Sequence, residues 1–131
     1  MPLDRKWEKF QGGPAGAGEL RVTINSRGMI YLNRKAYQVF GNPQAVALYY
    51  GRENDSIAIE PAYPRFAENF KVVKKQEGWG IHASTFCRHF GIRVVSTQRF
   101  LRPNLTNEGQ FILGLRETVI VGGRKRKSNR S

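Results

Sequence analysis

Three side chains with metal-binding chemistry fall close together: His82, Cys87 and His89. Imidazole and thiolate are zinc ligands, and a site needs three or four of them converging on one point. Cys87 and His89 stand two apart, so on one helix they point in different directions. Cys87 is the single cysteine of the chain, and no fourth ligand is evident. The spacing argues against a metal, and a buried free thiol is the expected state of Cys87. Acid–base chemistry is equally poorly served. The ten Asp and Glu residues are scattered, seven of them in the first seventy positions, and no carboxylate pair recurs at a working spacing. Cys87 and His89 are too close in sequence for a nucleophile and base, which usually come from separate elements. The Gly-rich run from Gly12 to Gly18 lacks the Gly-Lys-Ser/Thr ending of a phosphate loop and follows no strand. No catalytic residue and no cofactor is expected, and the chain does not read as an enzyme.

The basic residues carry the stronger signal. Lys and Arg number 22 against 10 Asp and Glu, a net charge of +12 over 131 residues, which points to a polyanionic partner. The charge is lopsided. Residues 1–70 hold nine Lys/Arg and seven Asp/Glu, whereas residues 71–131 hold thirteen and three. Arg21, Arg27, Arg34 and Lys35 gather around one turn and helix start. Lys71, Lys74, Lys75 and Arg88 hold the corresponding places further on, and Arg124, Lys125, Arg126 and Lys127 form a basic tail. Such clusters displace counterions from phosphates, and Asn25, Arg27 and Gln76 at turn tips have the donors and acceptors to read bases. A further basic run, Arg93–Arg102, reads as an edge strand protected by its charge.

The elements that must position these residues are written twice. Gly28 and Gly41 stand thirteen apart, with Phe40 before the second. Fifty residues on, Gly78 and Gly91 repeat the spacing, with Phe90 before, and Val22 matches Val72. Residues 1–18 read as an arm, with Trp7 and Phe10 on one face, followed by a Gly-rich linker. The first unit spans 19–61. Leu20, Val22 and Ile24 alternate with polar residues as a half-buried strand, and Asn25–Gly28 is a turn whose glycine suits positive φ. Met29–Leu32 is a second strand, and Asn33 caps a helix over Arg34–Phe40 that ends at Gly41. Strands over Ala45–Tyr50 and Ser56–Glu60 follow, and Pro61 closes the unit. In the third strand one of the adjacent Tyr49 and Tyr50 must face outward. After a connector over 62–69, the second unit spans 70–121. It has strands over 70–75 and 79–83 around Gln76-Glu77-Gly78, and a helix capped by Ser84 or Thr85 and stopped by Gly91. A long strand over 92–101, a strand over 110–115 and a short one over 117–121 complete it. Residues 122–131 have nothing to bury and read as a disordered tail.

Each unit is thus β-β-α-β-β. The span Gly28-Met29-Ile30-Tyr31-Leu32-Asn33-Arg34-Lys35-Ala36-Tyr37-Gln38-Val39-Phe40-Gly41 resembles the signature of the AbrB/MazE-like swapped-hairpin DNA-binding domains. Gly78 to Gly91 repeats it, and Ile57-Ala58-Ile59-Glu60-Pro61 is similar to that family's closing strand. The tandem arrangement resembles MraZ-type members. The pattern departs from the family in having Met29 and Trp79 where Arg usually follows the turn glycine, and Asn33 and Ala83 where Pro often precedes the helix. Arg27, Lys74 and Lys75 are the nearby residues that could serve instead.

The resemblance implies a mainly β fold with short helices, in which two tandem units form a pseudo-dimeric swapped-hairpin barrel, with further homodimerisation open. It implies a prokaryotic transcriptional regulator that binds duplex DNA through basic hairpin turns. A protein-interaction module, such as an antitoxin-like partner, and an RNA-binding protein are the alternatives. Most of the charge lies in the second unit, which should then carry more of the affinity. With one cysteine, no signal-peptide run and no segment near the ~20 apolar residues of a membrane span, the expected location is the cytoplasm, at the nucleoid if DNA is the partner, with no membrane contact.

Overall fold

The computed structural model describes residues 19–121. The expected arm over 1–18 and the tail over 122–131, with Arg124, Lys125, Arg126 and Lys127, lie outside the described residues. Within them the first half runs β1 (Val22–Ile24), β2 (Met29–Asn33), α1 (Arg34–Val39), β3 (Ala45–Gly51) and β4 (Ser56–Ala62). The second runs β5 (Phe70–Lys74), β6 (Gly78–His82), α2 (Ser84–Phe90), β7 (Gln98–Phe100), β8 (Asn104–Leu105), β9 (Phe111–Gly114) and β10 (Thr118–Ile120). The fold is mainly β with short helices, as the alternating pattern predicts.

The strands form one antiparallel sheet in the order β10-β7-β1-β2-β6-β5-β3-β4-β9-β8. Residues 101–103 lead from β7 to β8, and residues 115–117 lead from β9 to β10. Both short connections join opposite ends of that order, so the sheet must curl into a half-barrel. Its inner face is the core. Val22, Ile24, Ile30, Leu32, Ile57, Ile59, Ile81, Phe111 and Leu113 are fully buried, each worth about 1.5–3 kcal/mol relative to exposure. The helices are too short to stand alone. They are held by Ala36 and Tyr37 from α1, by Phe40 at its C-cap, and by Phe86 and Cys87 from α2, which pack into the same cluster.

The two hairpins, β1–β2 and β5–β6, lie side by side through an antiparallel β2–β6 ladder centred on Tyr31↔Gly80. Val22 pairs with Leu32 and Val72 with Ile81, all facing inward, so the match of Val22 to Val72 holds in space. The match of Gly28 to Gly78 does not. The first turn encloses Ser26, Arg27 and Gly28 between Asn25 N–H and Met29 O (3.1 Å), whereas the second encloses only Gln76 and Glu77 between Lys75 N–H and Gly78 O (2.7 Å). One residue fewer moves Gly78 out of the turn and into the first place of β6. There the ring of Tyr31 lies where a side chain would stand: a Cβ added to Gly78 would meet the Tyr31 hydroxyl at 2.7 Å. Gly28 remains the turn glycine, with φ +80°.

Other expectations are corrected by pairing. Asn33 caps α1 as expected, its Oδ1 accepting from Ala36 N–H at 3.0 Å. Neither Ser84 nor Thr85 caps α2. The cap position is Ala83, which has no side chain to offer and whose N–H donates to Gly28 O at 2.9 Å, so the helix starts directly off the sheet. The long strand over 92–101 shrinks to β7 because its partner β1 ends at Ile24, opposite Gln98, leaving residues 92–96 without a strand partner, while Thr97 O still accepts from Val121 N–H at 2.9 Å. Nor is that run an edge: β10 pairs along the other side of β7. Pro61 lies inside β4, opposite Val46 and beyond Ile59, where pairing with β9 stops. Of the adjacent tyrosines, Tyr49 is the exposed one and Tyr50 turns in against Phe90 at 5.2 Å.

Candidate nucleic-acid interface

Antiparallel pairing of β2 and β6 decides which basic residues meet. Met29 stands opposite His82 and Asn33 opposite Gly78, so the start of each strand lies beside the end of the other. Arg27 precedes β2 and therefore falls near α2, with Arg88. Lys74 and Lys75 precede β6 and fall near the start of α1, with Arg34 and Lys35. The grouping by half expected from sequence, with Arg27 beside Arg34 and Lys35 and with Arg88 beside Lys74 and Lys75, is thus exchanged. Each end of the ladder draws on both halves. At ~3.3 Å per residue, the two turns sit on the order of 20 Å apart.

The outward face between them carries rows of side chains. Arg21 shares one row with Asn33, accepting Asn33 N–H at its carbonyl (3.0 Å) and donating its own N–H to Asn33 Oδ1 (3.1 Å). Its guanidinium pairs with Glu19 at 3.2 Å, and Glu19 also accepts from Arg99 at 2.8 Å. The hydrogen bond and charge of Arg99, with the charge of Arg21, hold the Glu19 carboxyl below the usual carboxylate range. Arg99 was not singled out from sequence, although alternation along Gln98-Arg99-Phe100 around a buried Phe100 puts it on this face. Lys75 lies back along the face over Gly80 and ends 3.5 Å from His82 Nε2. Lys71, beside Ala45, is exposed.

The two ends differ in what fills them. At the Lys75–Gly78 turn, Trp79 stacks on Tyr37, with centroids 4.1 Å apart and planes 16° from parallel. Lys74 Nζ lies 4.8 Å over the Trp79 ring and donates to Lys75 O at 2.8 Å. Tyr37 is anchored by its hydroxyl, which donates to Pro43 O at 2.6 Å. At the Asn25–Met29 turn the helix position answering to Tyr37 is Cys87. There a cleft of about 620 Å³ opens between the turn, α2 and the segment after it, lined by Arg27, Arg88 and Arg93. Arg93 is the second residue missed from sequence. As part of an assumed strand it had no reason to meet Arg27.

His82, Cys87 and His89 do not converge. His82 faces outward, His89 sits edge-on to Phe90 at 4.6 Å, and Cys87 is buried, which pushes its thiol pKa up. Among the described residues no group of three His, Cys, Asp or Glu could hold a metal ion. Nor is any helix among them long and apolar enough to cross a membrane. No family model, curated protein or solved structure matches the chain.

Proposed function

We propose that this chain binds duplex DNA as a small regulator of the AbrB/MazE-like type. Its two halves, the second with four strands after its helix where the first has two, would then act as a tandem, pseudo-dimeric swapped-hairpin barrel. The observation that supports this best is the β2–β6 register, which brings basic residues of both halves to each end of one antiparallel ladder. Two such ends, on the order of 20 Å apart, suit phosphates on either side of a major groove about 12 Å wide. Arg27 and Arg88, with Lys71 one residue beyond the Val72–Ile81 pair, would hold one strand, and Arg34, Lys35 and Lys74, with Arg21 beside Asn33, the other, while Lys75 reaches back over Gly80 between them. Binding of duplex DNA, single-stranded DNA and RNA, compared across a salt series, tests the reading. Duplex should bind tightest and weaken steeply with salt. Equal or tighter binding of single strands would move the assignment to RNA or single-stranded nucleic acid.

A protein-interaction module is the second reading, favoured by one observation. Among the described residues β10 is a sheet edge, and its Val119 and Ile120 are 46% and 66% exposed. Apolar side chains on an open edge suit strand addition by a partner or by a second copy. Co-purification of a stoichiometric partner, lost in Ile120→Lys, supports that reading. A monodisperse monomer that binds duplex opposes it.

A further inference from the structure

We infer that the cleft beside the Asn25–Met29 turn is a phosphate site, built at one end of the molecule and missing at the other. The inference deepens the DNA reading, on which it rests for the source of the phosphate. Two differences between the halves open the space. Cys87 stands where α1 carries Tyr37, so no ring fills the gap between turn and helix. The segment after α2 takes until Gln98 to reach a strand, whereas the segment after α1 reaches one at Ala45. Residues 91–95 thereby become a wall of the cleft, with Arg93 on it.

The lining has one sign of charge. Arg27, Arg88 and Arg93 come from a turn, a helix and a loop, and among the described residues no carboxylate lines the cleft with them. None of the three is in an ion pair among the described residues, whereas Arg21, Arg99 and Arg116 are. Three arginines on the walls of one cleft with no counter-charge beside them give it a positive potential that favours an anion. Phosphate oxygens match the guanidinium fork, two N–H groups at a time. Ser26 and Ser84 add hydroxyl donors at the rim. The frame is fixed before any ligand arrives. Asn25 Oδ1 accepts from Arg27 N–H at 2.9 Å and Met29 N–H at 3.0 Å, and Gly28 O ties the turn to Ala83. A volume of about 620 Å³ exceeds what a lone phosphate needs and falls within the ~300–1,000 Å³ of small-ligand sites. The ligand is therefore a phosphate-bearing molecule larger than phosphate itself, either the diester backbone of a nucleic acid or a free phosphorylated small molecule.

Two-dimensional NMR of the full chain separates these sources. Wild type is titrated with inorganic pyrophosphate in one arm and with a short duplex in the other. Saturable amide shifts centred on residues 25–28, 84–88 and 91–95 are expected in at least one arm. Arg93→Gln and Arg88→Gln should each weaken that binding about tenfold, while Arg65→Gln, elsewhere on the surface, should change it less than twofold. Cleft shifts with duplex alone assign the phosphate to a backbone diester. Cleft shifts with pyrophosphate alone keep the site and remove the DNA reading. Shifts that bypass these residues in both arms, or affinities unchanged in Arg93→Gln and Arg88→Gln, overturn the phosphate site, and they leave the DNA reading standing if duplex still binds. The wild-type titration decides the matter even if a variant folds poorly.

Discussion

At one end of the β2–β6 ladder a three-residue turn meets α2 across an open cleft; at the other a two-residue turn meets α1 across the Trp79–Tyr37 stack. The elements are the same kinds, in the same order, joined by the same antiparallel register. What differs is a handful of side chains. Tyr37 and Trp79 fill one end and are fastened by Pro43 and Lys74, whereas Cys87 and a longer loop leave the other open to three arginines. Both ends carry basic residues, but one is closed by a ring stack and the other is left open.

The filled end should be the more sensitive to truncation. Trp79→Ala removes the stack on Tyr37 and should cost about 3 kcal/mol of stability in urea unfolding. A loss under about 1 kcal/mol would mean that the stack does not hold that end. The open end has its own weak point in Gly28. An added Cβ there would stand 2.7 Å from Ser84 Cα, at φ +80°, so Gly28→Ala should cost about 2 kcal/mol. Gly91→Ala, at φ +70° but with open space around the new carbon, should cost about 1 kcal/mol. Equal losses at the two glycines would show that backbone strain alone matters and that the turn is not braced on α2.

The two helix starts differ as well. Asn33 caps α1 and also donates to Glu19 O at 2.6 Å, so Asn33→Ala should cost about 1 kcal/mol. Ser84→Ala should stay within about 0.5 kcal/mol, because α2 has no side-chain cap. A cost at Ser84 equal to that at Asn33 would contradict the asymmetry. The smallest effect is electrostatic. The Glu19 carboxyl is held low by Arg99 and then Arg21. Its stabilisation is therefore present above the usual carboxylate pKa and lost as pH falls through the lower, folded value. Glu19→Gln should flatten the acid limb of a stability profile below about pH 4.5 and leave the neutral limb unchanged in slope.

Much of this was legible in the residues. The alternation of Val22, Ile24, Ile30 and Leu32 marks strands with one buried face, and Asn33 announces the α1 cap. The pairing of hairpins was not legible, because nothing in Arg27 or Arg88 records that β2 and β6 run antiparallel side by side. That single long-range fact regroups the basic residues. Gly28 and Gly78 look equivalent in a repeat, yet one holds a turn open and the other makes room for Tyr31, a distinction fixed by a turn one residue shorter. Arg93 was hidden for a similar reason. β-branched residues around it favour a strand, and only the end of β1 at Ile24 denies that strand a partner. The lopsided charge of the halves is also redistributed, since each end of the ladder mixes both.

The proposed role of the two ends in DNA binding is tested most directly by the salt dependence of duplex affinity. Wild type should lose affinity steeply as salt rises, with a slope near −0.9 per phosphate contacted. Arg27→Gln with Arg88→Gln at one end, and Lys74→Gln with Lys75→Gln at the other, should each lower the magnitude of that slope by about 2. Binding that is absent, insensitive to salt, or unchanged in slope when either end is neutralised would contradict the account.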